Sequence, residues 1–166
     1  MNKDIPLLFR QLTHGVYVIG VSCKDNDNAF TAAWVMQVSF RPLLLALSIH
    51  PDHSSYRMLI QSKAFSVNVL PAGRIDLADR FGRPAAKEDK LAGVAWHRGK
   101  TGAPLLDEAV ACFECEFSHE CTAGDHQLVF GRVVTGTVLD PNAIPMNYRD
   151  TGDLDGSSKL YPGGFS

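Results

Sequence analysis

The feature that most constrains this chain is its rhythm of short β-like runs. They fall at Val16–Cys23 (VYVIGVSC), Phe30–Ser39, Leu43–Ile49, Ala64–Leu70 (AFSVNVL), Val110–Ser118 and Gln127–Leu139. Each is rich in β-branched, aromatic or aliphatic residues, and turn clusters such as Lys24-Asp25-Asn26-Asp27-Asn28, Pro71-Ala72-Gly73 and Thr122-Ala123-Gly124-Asp125 punctuate them. Pro42, in Phe40-Arg41-Pro42, disfavours one continuous strand because proline donates no ladder hydrogen bond. Only short helices are legible between the runs. Asp4 can cap one beginning near Ile5 and Pro6, with Leu8 and Leu12 on one face and Leu7 beside them. Ser54 or Ser55 can cap a second through about Gln61, and Arg74 to Phe81 has helical spacing closed by Gly82 and Pro84. Strands dominate without alternating regularly with helices, so an antiparallel barrel with appended helices is expected rather than a doubly wound parallel sheet.

A length of 166 residues with 45% hydrophobic content suffices for one self-supporting core, so a single domain over residues 1–166 is expected. Within it, the Gly-, Pro-, Asp- and Ser-rich stretch 142–166 reads as an extended C-terminal arm. Sixteen Lys and Arg against 18 Asp and Glu leave no cationic excess for nucleic acid or an anionic membrane. No run approaches the roughly 18 apolar residues of a membrane span, and the first residues lack a basic start with an apolar run behind it, so a cytoplasmic location is expected. The four cysteines then read as thiols rather than a disulfide framework.

Cys112, Cys115, His119 and Cys121 lie within ten residues and invite a zinc reading. On a regular strand, however, Cys112 and Cys115 point to opposite faces, while Cys115 and Cys121 stand about 20 Å apart. No metal site is expected, and these cysteines are read as core thiols. No G-x-S-x-G elbow, P-loop or G-x-G-x-x-G after a strand is present, which argues against hydrolase chemistry and against a Rossmann nucleotide site.

Several ordered segments together resemble the flavin reductase-like, FMN-binding split-barrel family over roughly residues 10 to 140. They are Thr31-Ala32-Ala33-Trp34-Val35-Met36-Gln37-Val38-Ser39, Pro42 before an apolar strand, Ser54-Ser55-Tyr56, Phe65-Ser66-Val67-Asn68-Val69-Leu70 and Leu77-Ala78-Asp79-Arg80-Phe81. Gly93-Val94-Ala95-Trp96, Pro104-Leu105-Leu106, Glu114-Cys115 and Gly124-Asp125-His126 continue the order. The resemblance implies a mainly β fold, a split antiparallel β-barrel with short peripheral helices. It also implies non-covalent FMN, with FAD as the alternative, NADH or NADPH as a transient donor, and a homodimer with the flavin near the subunit interface. Plain flavin reductases often read Thr-Ala-Asn-Ser-Phe-Thr-Ser-Val-Ser in the first segment, where this chain has Ala33 and Trp34. A large indole beside the ring leaves two readings open: an NAD(P)H:flavin oxidoreductase passing electrons onward, or a non-enzymatic FMN-binding electron carrier reduced by a partner protein.

Carried over residue by residue, the resemblance makes Thr31 and the run Trp34, Val35, Met36, Gln37, Val38 and Ser39 the edge of the flavin slot. Ser54, Ser55 and Tyr56 stand at a helix start, where free N–H groups and the helix dipole favour a phosphate. Arg83 and Lys87 could add positive charge there. His126 resembles the family histidine on the nicotinamide-facing side of the flavin and is the candidate catalytic residue.

Overall fold

The structure, a computed structural model, describes residues 4–24, 26–84 and 89–165. Helix α1 (Ile5–Phe9) leads into strands β1 (Tyr17–Cys23), β2 (Asn26–Ala32), β3 (Val35–Phe40) and β4 (Leu43–Ile49). Helix α2 (Ser54–Ser62), β5 (Ala64–Val69), α3 (Ile75–Gly82), β6 (Trp96–Arg98) and β7 (Pro104–Leu106) follow. The long strands β8 (Ala111–Ala123) and β9 (His126–Val138) precede two 3-10 turns, Tyr148–Thr151 and Ser157–Leu160. Seven strands form one antiparallel sheet in the order β2-β1-β5-β8-β9-β4-β3, and β6 and β7 pair as a separate hairpin. Opposite edges of the sheet, β2 and β3, are joined by only Ala33 and Trp34, so the sheet rolls until its edges meet. The expected fold class, a split antiparallel β-barrel with short peripheral helices, is the one observed. No helix among the described residues is long and apolar enough to cross a membrane.

Local chemistry explains where elements begin and end. Asp4 accepts a hydrogen bond from Leu7 N at 3.0 Å and caps α1, but the α-helix stops at Phe9, leaving Leu12 outside it and exposed. Lys24 sits at φ 51° in the β1–β2 turn, so β2 resumes at Asn26 rather than Phe30. The cap of α2 is His53, not a serine: its Nδ1 accepts from Ser55 N at 3.2 Å, and Ser54 is the first helical residue. The β8–β9 turn is tighter than the sequence suggests, because Gly124 at φ +65° lets Ala123 and His126 pair directly. The stretch expected as an extended C-terminal arm lies against the barrel over residues 142–165. Met146 is buried, Asn147 bridges Gly15, and Tyr148 N donates to His14 O at 2.8 Å, so this stretch folds back onto the barrel.

The buried residues form two clusters. Leu70, Phe81, Leu91, Leu106 and Met146 belong to one, and Ile19, Leu47, Leu59, Phe65 and Val129 to the other. A bulge between Glu114 and Cys115 lets β8 bury both Cys112 and Cys115, one in each cluster. Burial pushes their thiols up, to about 11 and about 12. Cys121 is exposed, which corrects its reading as a core thiol.

The core holds one polar knot. Asn68, fully buried on β5, donates to Val18 O at 2.9 Å and to Ser66 Oγ at 3.1 Å, while its Oδ1 accepts from Leu106 N at 2.8 Å. Ser66 in turn donates to Pro104 O. These bonds anchor the β6–β7 hairpin to the sheet where side-chain packing alone would leave backbone groups dry and unpaired. Asn68→Ala should therefore lower stability by about 2–4 kcal/mol, read from urea denaturation, because it orphans buried N–H and C=O groups. A loss within the scatter of ordinary surface substitutions would mean that water replaces the amide.

Candidate functional site

The crossover that closes the barrel also builds its most chemically varied surface. Trp34 O accepts from Ser48 N at 3.0 Å, which ties the crossover to β4. Its indole is 46% exposed, enough to present one face to solvent. The His126 ring lies against it with centroids 5.1 Å apart, and His50 meets His126 edge-on at 5.3 Å. His126 opens β9 directly after the Gly124-Asp125 turn, which places its Nδ1 2.7 Å from Asp125 Oδ1. That hydrogen bond holds the Asp125 carboxyl below its ordinary range. With Nδ1 engaged by Asp125, Nε2 is the ring nitrogen left for a ligand.

Beyond Trp34, β3 pairs with β4 on one side only. Val35 and Ser39 are half-buried, Met36, Gln37 and Val38 are exposed, and the register shifts between Gln37 and Ser39. An edge strand of this kind offers backbone donors and acceptors outward. Two cavities flank the crossover. One, of about 280 Å³, is walled by Thr31, Ala33, Asp79, Arg83 and Tyr148. The other, of about 310 Å³, is walled by Phe9, Arg10, Trp34, Tyr148 and Tyr161. Tyr148 divides them; its hydroxyl donates to Asp155 at 2.7 Å and pairs with Ser157 at 2.9 Å, and burial pushes its pKa up to about 12.

The residues expected at the phosphate end are only partly brought together. Thr31 Oγ1 donates to Ala78 O at 2.7 Å, and Arg83 reaches Asp79, so α3 and β2 meet at the first cavity. Ser54 is exposed at the α2 start. Ser55 is fully buried, and its hydroxyl accepts from the Asn28 amide at 3.0 Å. Tyr56 turns away to donate to Glu120 at 2.8 Å. Lys87 lies outside the described residues. Lys90, which sequence reasoning missed, donates from Nζ to Phe81 O at 3.1 Å and acts on His53 electrostatically. His50 and Tyr148 were missed as well: His50 stands one residue past an apolar run, and Tyr148 sits in a stretch whose composition resembles a linker.

A family model described as "Flavin reductase like domain" matches residues 9–154. The chain is 35% identical over 132 residues to the FMN reductase (NADH) RutF of Pseudomonas syringae, covering 77% of this chain and 74% of that protein. It is 30% identical over 156 residues to the putative diflavin flavoprotein A 3 of Nostoc sp., covering 92% of this chain but only 27% of that protein. The chain thus spans about a quarter of the diflavin relative. Among solved structures, the NADH:FAD oxidoreductase SgcE6 of Streptomyces globisporus superposes with a TM-score of 0.81 at 29% identity, covering 86% of this chain and 85% of that one.

The α2 cap sets a pH dependence. Burial, followed by the nearby Lys90 and His50, holds the His53 imidazole below its ordinary 6.5. Its Nδ1 accepts from Ser55 N only while neutral. As pH falls, the unfolded chain therefore takes up this proton before the folded one, so the stability is fully present above about pH 6.5 and is lost progressively below it. Denaturant midpoints should decline on acidification below about pH 6.5, and His53→Asn, which keeps a capping acceptor without the titration, should flatten that decline. An unchanged slope in the variant would remove His53 as its source.

Proposed function

The chain belongs to the flavin reductase-like family, and from that premise we propose that it is an NAD(P)H:flavin oxidoreductase holding FMN non-covalently beside the Trp34 crossover. The observation that carries this reading is the open backbone edge of β3, ending in the Trp34–His126 ring pair. A flavin ring needs a flat slot and, along its polar edge, both donors and acceptors, and an edge strand supplies both. Backbone recognition also tolerates the side-chain differences at Ala33 and Trp34. FMN is preferred over FAD, and NADH over NADPH, because the RutF relative is an FMN reductase (NADH).

Bound flavin would supply the two-electron chemistry, so the chain's own residues need only orient and desolvate the reactants. In this reading the backbone of Val35 to Ser39 aligns the ring, with Thr31 beside it. Ser54, at the α2 start, and Arg83 serve the phosphate, and Ser55 keeps the start in place through Asn28. Nε2 of His126 accepts from a nicotinamide amide and positions the donor. A homodimer fits the run of Met36 (61% exposed), Phe40 (81%) and Leu43 (50%), apolar surface that a second copy would cover near the flavin. A partner-driven electron carrier remains the second reading, favoured by the diflavin relative, in which the matching region is about a quarter of a longer protein.

Three measurements test this. FMN should bind one per chain and quench its fluorescence; no quenching would sink the proposal. Ser54→Ala should weaken FMN by about 1–3 kcal/mol and spare riboflavin, because it removes a hydrogen bond to a charged group. Equal losses for both ligands would take Ser54 out of the phosphate site. His126→Ala should keep FMN affinity while slowing anaerobic reduction by NADH, by up to about 100-fold if the donor shifts by 1 Å. An unchanged rate would remove His126, and no reduction in the parent protein would favour the carrier.

A further inference from the structure

The cavity between α1, Trp34 and the C-terminal turns has a character of its own. The Phe9 and Tyr161 rings pack with centroids 5.4 Å apart and planes tilted by 33°, and with Trp34 and Tyr148 they make four of its walls aromatic. Arg10 is the cation that faces it, with the His14 imidazole beside it, and among the described residues no Asp or Glu lines it. Among the described residues, the side chains of His14 and Ser48 and the Tyr161 hydroxyl have no hydrogen-bond partner. Arg10 is held only by a loose, partly exposed pair with Asp153 at 3.6 Å, so most of its donor fork is open. The walls are nonetheless fixed. Arg149 donates to Gln11 Oε1 at 3.0 Å, and Tyr148 N to His14 O at 2.8 Å, fastening the C-terminal segment to the chain beyond α1.

We propose that this cavity, which among the described residues shares only its Trp34 wall with the proposed flavin site, is a binding site for a small planar aromatic carboxylate. Flat rings are what four aromatic walls select, since ring pairs add attraction beyond buried area. A carboxylate is the anion a guanidinium fork matches in shape as well as charge. The volume of about 310 Å³ stands at the small end of ligand sites and suits a single substituted ring. Unpartnered hydroxyls on Ser48 and Tyr161 can meet a ring substituent. The first cavity differs in kind, because its Arg83 is already paired with Asp79 and a second carboxylate, Asp155, lines it as well. The proposal stands whether or not the chain turns out to reduce flavin.

The test is isothermal titration calorimetry of the purified chain with 4-hydroxybenzoate. Cyclohexanecarboxylate keeps the charge without the flat ring, and benzyl alcohol keeps the ring without the charge; each should bind at least about tenfold more weakly. Tyr161→Ala and Arg10→Gln should each weaken 4-hydroxybenzoate by about tenfold, while FMN fluorescence quenching stays as in the parent. Arg10 is at the surface end of α1 and takes no part in the buried core, so Arg10→Gln carries the test should Tyr161→Ala loosen the C-terminal turns. No binding heat, or equal binding of the two control compounds, overturns the proposal. Displacement of 4-hydroxybenzoate by FMN or NADH overturns it too, since the cavity would then be part of the flavin–nicotinamide site. A failure of the flavin reading would instead appear as absent FMN quenching with 4-hydroxybenzoate binding intact.

Discussion

Closure of the sheet through Ala33 and Trp34 is the constraint on which the rest depends. Laid flat, seven strands would put β2 and β3 about 29 Å apart, at about 4.8 Å per neighbour. The three Cα steps from Ala32 to Val35 can span at most about 11 Å. The sheet must therefore roll, and the ladder from β2 to β3 supplies the curvature with register shifts in the β3–β4 and β8–β9 pairs. The register of β3 on β4 and of β4 on β9 puts the end of β4, the start of β9 and the crossover at one rim. His50, His126 and Trp34 thus meet because of topology, although they lie far apart in sequence.

What was legible in the sequence follows from where local chemistry agrees with tertiary position. Leu43–Ile49 was readable to the residue because Arg41-Pro42 marks one end and His50-Pro51 the other. Phe30–Ser39 was not readable as two strands: Phe30 and Thr31 before the break and Val35 and Val38 after it favour β structure, and the break at Ala33 and Trp34 serves closure and carries no Gly, Pro or Asn to mark it. The outer half of β8, Ser118–Ala123, is polar because its residues are exposed and paired only with β9, so the apolar signal ended before the strand did. The C-terminal stretch had a linker's composition, yet Met146 and Tyr148 are enough to pin it.

The candidate site was legible unevenly for the same reason. Trp34 and the β3 run carry over from the resemblance because the recognition proposed there is by backbone, which tolerates changes of side chain. Ser55 could not be judged from sequence, since its burial against Asn28 depends on how α2 lies across β1 and β2. A histidine in the cap position, His53, was hidden by two serines that look like better caps and are one and two residues too late.

The two cavities at the crossover owe their difference to Tyr148. With its phenol raised to about 12 by burial, it stays protonated at neutral pH, donates to Asp155 and shares a hydrogen bond with Ser157. That arrangement draws the carboxylate of Asp155 to the first cavity's side and leaves the second lined by Arg10, His14 and hydroxyls. One neutral side chain, placed by a bridge between Gly15 and Asn147, therefore sorts the charges on either side of it. The stretch of sequence with the least apparent structure is the one that gives the two halves of the rim different sets of polar groups.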